Sequence, residues 1–193
     1  MIKEIIEFEN ERIVQLPFFS SVNGLAELRN VSDGKVAPAI YKDKKWQSIQ
    51  FTGLGTTYWR KNSDVNYSQV DSFTSGRAAY ESIFDLVFIA LTTRSEFPED
   101  DNYSADRLAQ SLIKAITLTG GDLKRSLKAQ QLTVRPLSYS TNSAAIKEQE
   151  FTGITQRDFM QKDIAISIEF EVTVVAKNYC VDEVCTFDFP ETV

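Results

Sequence analysis

Ile2, Ile5, Ile6 and Ile13 recur at helical spacing with Glu4, Glu7 and Glu11 off that stripe, which predicts an amphipathic opening helix over 2–14. Pro17 stops it. Phe18 and Phe19 follow as an apolar knot, and Leu25 and Leu28 suggest a second short turn before Asn30 and Asp33-Gly34. From Val36 to Tyr58 short runs of β-branched and aromatic residues predict a hairpin or meander. Residues 60–76 are polar and without a period, and so are residues 140–150; both are expected to be surface loops. Phe84 to Leu91 is apolar on both strand faces, the pattern of a central strand covered on two sides.

Ser104 stands where it can cap a helix whose Ala105, Leu108, Ala109, Leu112, Ile113 and Ile116 make one stripe, with Gly120-Gly121 ending it. Leu123 and Leu127 permit a further short helix. Leu132 to Tyr139 reads as a strand that Pro136 confines to an edge or a bulge. The last strand is the clearest: Ile164, Ile166, Ile168, Phe170, Val172 and Val174 alternate with Ala165, Ser167, Glu169, Glu171, Thr173 and Val175. Helix, strands, helix, strands is not the order of a doubly wound sheet. It predicts an α+β fold: one mixed or antiparallel sheet with helices packed on one face, forming a single domain over 1–178, with 179–193 as a C-terminal extension.

Composition narrows the function. The chain has 193 residues, ordinary apolar (42%) and charged (25%) fractions, and a net charge of −6. That balance opposes stable gripping of nucleic acid, which needs clustered cations to displace counterions, and the short run Lys42, Lys44, Lys45 before Trp46 reads as a solvated face. The N-terminus lacks the uninterrupted apolar core of a signal peptide, and no stretch approaches the roughly 20 apolar residues of a membrane span, so no membrane partner is expected. Two cysteines, Cys180 and Cys185, without a single histidine, cannot complete a common zinc site, and no metal or other cofactor is expected.

The lack of histidine also removes the Ser-His-acid triad and the Cys-His pair. Gly53-Leu54-Gly55 lacks the third glycine of a dinucleotide loop and reads as a turn. Asp100, Asn102, Ser104 and Asp106 imitate the start of a calcium loop, but Ala105 and Ser111 stand where glycine and glutamate are required. Glu169 and Glu171 share a strand face, as paired outward acids commonly do, and no catalytic role is assigned to them. The aromatics Trp46, Phe51, Tyr58 and Trp59 suit a core or an interface better than a stacking platform. The expectation is a chain that is not an enzyme.

The opening helix, the Phe84 to Leu91 strand, the Tyr103 to Ile116 helix and the alternating Ile164 to Val175 strand together resemble the tail terminator and tail completion proteins of tailed bacteriophages. The resemblance spans most of the chain as a pattern of elements; the segment after Asn178 departs from it. It implies a virion structural protein assembled in the host cytoplasm: a homo-oligomeric ring at the neck or upper tail, in a terminator, completion or head-tail connector role. Neighbouring neck or tail proteins are then its partners, with DNA passing through the bore without stable sequence-specific binding. Candidate subunit contacts are Tyr58, Trp59, Asn62, Asp64, Tyr67, Asp71, Tyr139, Asn142, Glu169 and Glu171. The alternative is a non-enzymatic module that binds carbohydrate or nucleotide through exposed aromatics and carboxylates.

Overall fold

A computed structural model of the chain describes residues 1–32, 34–49, 55–70, 79–93, 104–117, 120–127, 129–153 and 164–177. The elements run α1 (Ile2–Ile13), β1 (Ser21–Ser32), β2 (Lys35–Lys42), β3 (Lys45–Ser48), β4 (Thr56–Lys61), β5 (Asn66–Val70), β6 (Ala79–Thr92), α2 (Ala105–Thr117), α3 (Gly120–Ser126), β7 (Gln131–Ser140), α4 (Ser143–Glu150) and β8 (Ile164–Lys177). The eight strands form one mixed sheet in the order β3-β2-β1-β4-β6-β8-β7, with β5 also pairing on β6. Only β1 with β4 is parallel among these pairings; the rest are antiparallel. The fold is therefore α+β, as the order of patterns predicts.

The predicted central strand is central because both its faces are apolar. Phe84, Leu86, Phe88 and Ala90 of β6 join Ile164, Ile166, Ile168, Phe170, Val172 and Val174 of β8 in the larger core. Over this face lie Ile5, Ile6 and Ile13 of α1, Leu108, Ala109, Leu112 and Ile116 of α2, and Leu123 of α3. Trp59 of β4 completes the layer, its ring 4.8 Å from that of Phe88 and 6.1 Å from that of Phe170. The α2 start is the predicted one: the Arg107 N–H donates to Ser104 Oγ at 3.2 Å, meeting one of the donors a helix start leaves open.

The opposite face carries a second, smaller core. Tyr58, Val87, Ile89, Leu91 and Ala165 are covered there by Ile146 of α4 and by Phe151, with Ala26, Ala37 and Ile49 closing the side. The β1–β2 hairpin reaches this layer, since the Val36 N–H donates to the Thr152 carbonyl at 2.9 Å. Gly34 and Gly153, both at φ 69°, meet back to back; a Cβ on Gly153 would run into the Gly34 carbonyl. Three helices thus pack on one face, and α4 adds a short cover on the other.

Four expectations are corrected. Leu25 and Leu28 lie in the twelve-residue strand β1 instead of a short turn, because pairing to both β2 and β4 overrides their helical spacing. Residues 60–76 are not one loop: β4 runs to Lys61 and β5 resumes at Asn66 on the same edge of β6. The four residues between connect them, with Val65 packed against the larger core, held where the Asn62 N–H donates to the Asp85 carbonyl and the Asp85 N–H to Ser63 Oγ. Residues 140–150 contain helix α4, capped by Asn142, whose Oδ1 accepts the Ala145 N–H at 3.2 Å. Gly120-Gly121 opens α3 instead of merely closing α2. Residues 50–54, 71–78, 94–103 and 178–193, with Phe51, Asp71, Asp100, Asn102, Cys180 and Cys185, lie outside the described residues.

The β2–β3 hairpin turns on Asp43 and Lys44, at φ 54° and 61°, between the paired Lys42 and Lys45. Such a two-residue turn favours Asp or Asn followed by glycine. Lysine in the left-handed region costs of order 1 kcal/mol, so Lys44→Gly should stabilise the fold by about that much in urea denaturation. Leu112→Ala, which empties a fully buried position between α2 and the sheet, should instead cost about 2–5 kcal/mol in the same assay.

Candidate functional site

The polar groups of this fold separate into a buried network, an open acidic shelf and an aromatic arm. In the buried network, β4 alternation turns Tyr58 and Arg60 toward α4, where Glu150 closes the helix. Tyr58 Oη donates to Glu150 Oε2 at 3.0 Å, and Arg60 Nη2 lies 3.0 Å from Glu150 Oε1. Burial pushes the Glu150 carboxyl above its usual range, while Arg60 and the Tyr58 hydroxyl pull it part of the way back. Burial and the neighbouring carboxylate push the Tyr58 phenol well above its ordinary value. Oε2 is satisfied by the Tyr58 hydroxyl, Oε1 faces Arg60 as an ion pair without a well-formed hydrogen bond, and the residue is only 1% exposed, so this group ties α4 to the sheet.

On the other side of the same strand, Trp59 Nε1 donates to Asn10 Oδ1 at 3.0 Å, and Asn10 Nδ2 donates to the Asn23 carbonyl at 3.1 Å. Asn23 sits where the β1–β4 register shifts, and its Nδ2 donates to the Thr57 carbonyl at 3.1 Å. Tyr58 and Trp59, at 0% and 2% exposure, therefore cannot be subunit contacts. Adjacent residues of a strand face opposite ways, and here both faces are covered.

The acidic shelf lies beyond α4 on the smaller-core face. Glu169 Oε1 accepts from Asn62 Nδ2 at 2.6 Å and Oε2 from Ser138 Oγ at 3.2 Å; Glu171 pairs with Arg135 at 2.9 Å. Asn62, Glu169 and Glu171 are thus brought together, and their acids are answered within the chain. Asp64, exposed, faces Lys61 at 3.4 Å, and Asn142 is occupied as the α4 cap. Tyr67 and Tyr139, 67% and 44% exposed, stand apart on β5 and β7 with their rings in solvent. Among the described residues no group of His, Cys, Asp and Glu is placed to hold a metal ion, and no helix is long and apolar enough to cross a membrane. An open cleft of about 230 Å³ between Leu25–Leu28 and Arg60–Lys61 is smaller than the roughly 300–1,000 Å³ that usually encloses a ligand.

The arm is what sequence reading missed. Tyr41 pairs with Trp46 across β2 and β3, their rings 5.3 Å apart, and the Arg29 guanidinium of β1 lies 4.0 Å over the Trp46 ring. Tyr41 and Trp46 are 59% and 38% exposed. Leu25, one residue beyond the Ala26–Ile40 pair and so in the row of Tyr41, is exposed as well. The signal was Lys42, Lys44 and Lys45 beside these aromatics, but spacing alone did not separate Trp46 from the buried Tyr58 and Trp59. No protein-family model matches the chain, and no curated protein matches it at a significant level.

The Glu150 network sets a pH dependence with a defined sign. A carboxyl whose folded pKa is raised binds its proton more tightly in the native state, so its contribution to stability falls as pH rises from the unfolded value of 4.5 through the folded one. Glu150→Gln should flatten that decline in melting curves taken across the acid range. Arg60→Met, which leaves the buried carboxylate without its cation, should cost about 3 kcal/mol, and Arg60→Met with Glu150→Leu should recover most of it.

Proposed function

We propose that this chain is a virion structural subunit that assembles into a homo-oligomeric ring at a phage neck or upper tail. The observation that carries the reading is the placement of unsatisfied surface at opposite flanks of one sheet. The order begins with the arm of β3, β2 and β1 and ends with β7. Leu25, Tyr41 and Trp46 are exposed on the first flank; Leu137 and Tyr139 on the second. Two unlike apolar surfaces on opposite sides of a subunit suit a head-to-tail contact, which closes into a ring when the rotation permits.

Among the described residues, strand β7 is the last of the sheet and its main-chain groups have no strand partner beyond β8. Pro136 and the register shift between Pro136 and Ser138 interrupt that edge, so side chains more than a continuous ladder would make the contact. A net charge of −6 supports a bore that repels phosphate and lets DNA pass. The alternative reading, a carbohydrate- or nucleotide-binding module, draws on the Tyr41–Trp46 pair alone; a monomer that binds such a ligand would favour it.

Native mass measurement and negative-stain images of the intact chain are expected to show closed rings at high concentration. Monomers only, with neighbouring virion proteins also present, would sink the proposal. Leu137→Asp with Tyr139→Glu should abolish assembly while changing monomer stability by less than about 1 kcal/mol, as exposed substitutions do.

A further inference from the structure

β1 and β4 run parallel, but their pairing ends at Ala26 and Arg60. Beyond that point β1 follows β2 to Ser32, and the chain after Lys61 returns to β6 as β5. The open cleft of about 230 Å³ lies where the two strands part, lined by Leu25, Ala26, Glu27, Leu28, Arg60 and Lys61. Adjacent residues of a strand face opposite ways, so a cleft that both Arg60 and Lys61 line opens between the strands and not on one face of the sheet.

Arg60 is the group in this cleft whose bonding is incomplete. Its side chain keeps 14% of its surface exposed, and a guanidinium offers five N–H donors in a planar fork. The ion pair with Glu150 engages Nη2 alone, and Nε is buried with no hydrogen-bond partner. Buried donors are nearly always answered, so this one calls for an acceptor that the chain itself does not supply. Lys61 brings a second cation, and its partner Asp64, at 3.4 Å and fully solvated, holds it weakly. Glu27, the one acid of the lining, is paired with Arg29 at 2.7 Å. Water would answer the donor without the charge; two cations at one opening favour an oxyanion, which answers both.

We propose that the β1–β4 cleft binds a single oxyanion, a carboxylate or phosphate group, between the Arg60 guanidinium and the Lys61 ammonium. Glu150 holds the guanidinium from the α4 side and fixes its orientation, and the incoming group takes donors that this ion pair leaves unused. Leu25, Ala26 and Leu28 make the rest of the wall apolar, which strengthens a charge interaction formed against it. Size agrees, since the cleft is too small to enclose a whole metabolite but admits one such group with the atoms next to it. The site lies within one subunit, so it stands or falls independently of the ring.

Melting temperatures of the intact chain in sodium phosphate, sodium acetate and sodium chloride, at equal ionic strength, test the site. Phosphate and acetate should raise the temperature saturably above chloride, as a ligand of the native state does. Phosphate also stabilises folded proteins generally by exclusion from their surface, and three variants set that baseline. Lys61→Gln should weaken the apparent affinity by about threefold, the effect of one partly exposed charge. Leu28→Trp, which fills the cleft and keeps both cations, should remove the saturable part. Arg60→Lys, which keeps a cation beside Glu150 but loses the fork, should do the same. An equal response from the unaltered chain and Leu28→Trp would overturn the proposal, as would a response to both oxyanions no larger than that to chloride. If Leu28→Trp or Arg60→Lys does not melt cooperatively, calorimetric titration of phosphate into Lys61→Gln and the unaltered chain decides, and equal affinities overturn the site. Trialanine with a free carboxylate and the same peptide amidated identify the source. Tighter binding of the free acid than of acetate or phosphate assigns the group to another polypeptide's terminus, and tighter binding of phosphate assigns it to a phosphate group. Equal binding of the amide and the acid would show that a carbonyl is read instead of a charge and would overturn the proposal.

Discussion

The antiparallel pairing of Ala79–Thr92 with Ile164–Lys177 holds fourteen residue pairs in one register, and everything else is laid against it. A slip of one residue would carry Glu169 and Glu171 into the layer now filled by Ile168, Phe170 and Val172, and would turn those three toward solvent. Because β6 is apolar on both sides, it also commits the fold to two covers. Helices α1, α2 and α3 supply one, and α4 with the curled β1–β2 hairpin supplies the other.

The polar groups inside these covers act as alignment devices more than as sources of net stability. A buried ion pair gives back in attraction little more than it loses in desolvation, but leaving one partner alone is expensive. Tyr58, Arg60 and Glu150 therefore penalise any packing of α4 in which the carboxylate misses its partners. Asn10 plays the corresponding part on the helical face, joining α1 to the Trp59 indole and to the irregular stretch of β1 at once. The first network secures a helix, α4, that has only Ile146 and Glu150 buried among its own residues.

The surface divides by the same logic. On the shelf, Glu169 and Glu171 are answered by Asn62, Ser138 and Arg135 and ask nothing of a partner. On the arm, apolar rings and lysines remain exposed beyond the helical cover. On β7, Leu137 and Tyr139 are open to solvent. Exposed apolar area at both ends of the sheet is the feature on which the proposed subunit contact rests.

Alternation in the sequence determined the β8 strand, the central β6 strand and the buried stripe of α2 at residue level, because period and burial are coupled wherever one face must be apolar. Its order of patterns also determined the α+β class. What it left open were the elements whose conformation depends on neighbours distant in the chain. Leu25 and Leu28 became strand through their partners on β2 and β4. Residues 66–70, mostly polar and without an apolar face, became strand because β6 extends past β4 and offers an edge. Residues 143–150, with Ile146 as their one large apolar group, became helix because an apolar face of the sheet and an Arg60 needing a counter-ion lay beneath them. Exposure of aromatics was likewise a tertiary decision: Tyr58, Trp59 and Trp46 have similar local surroundings in sequence, and only the position of their strands, central for two and peripheral for the third, separated core from surface.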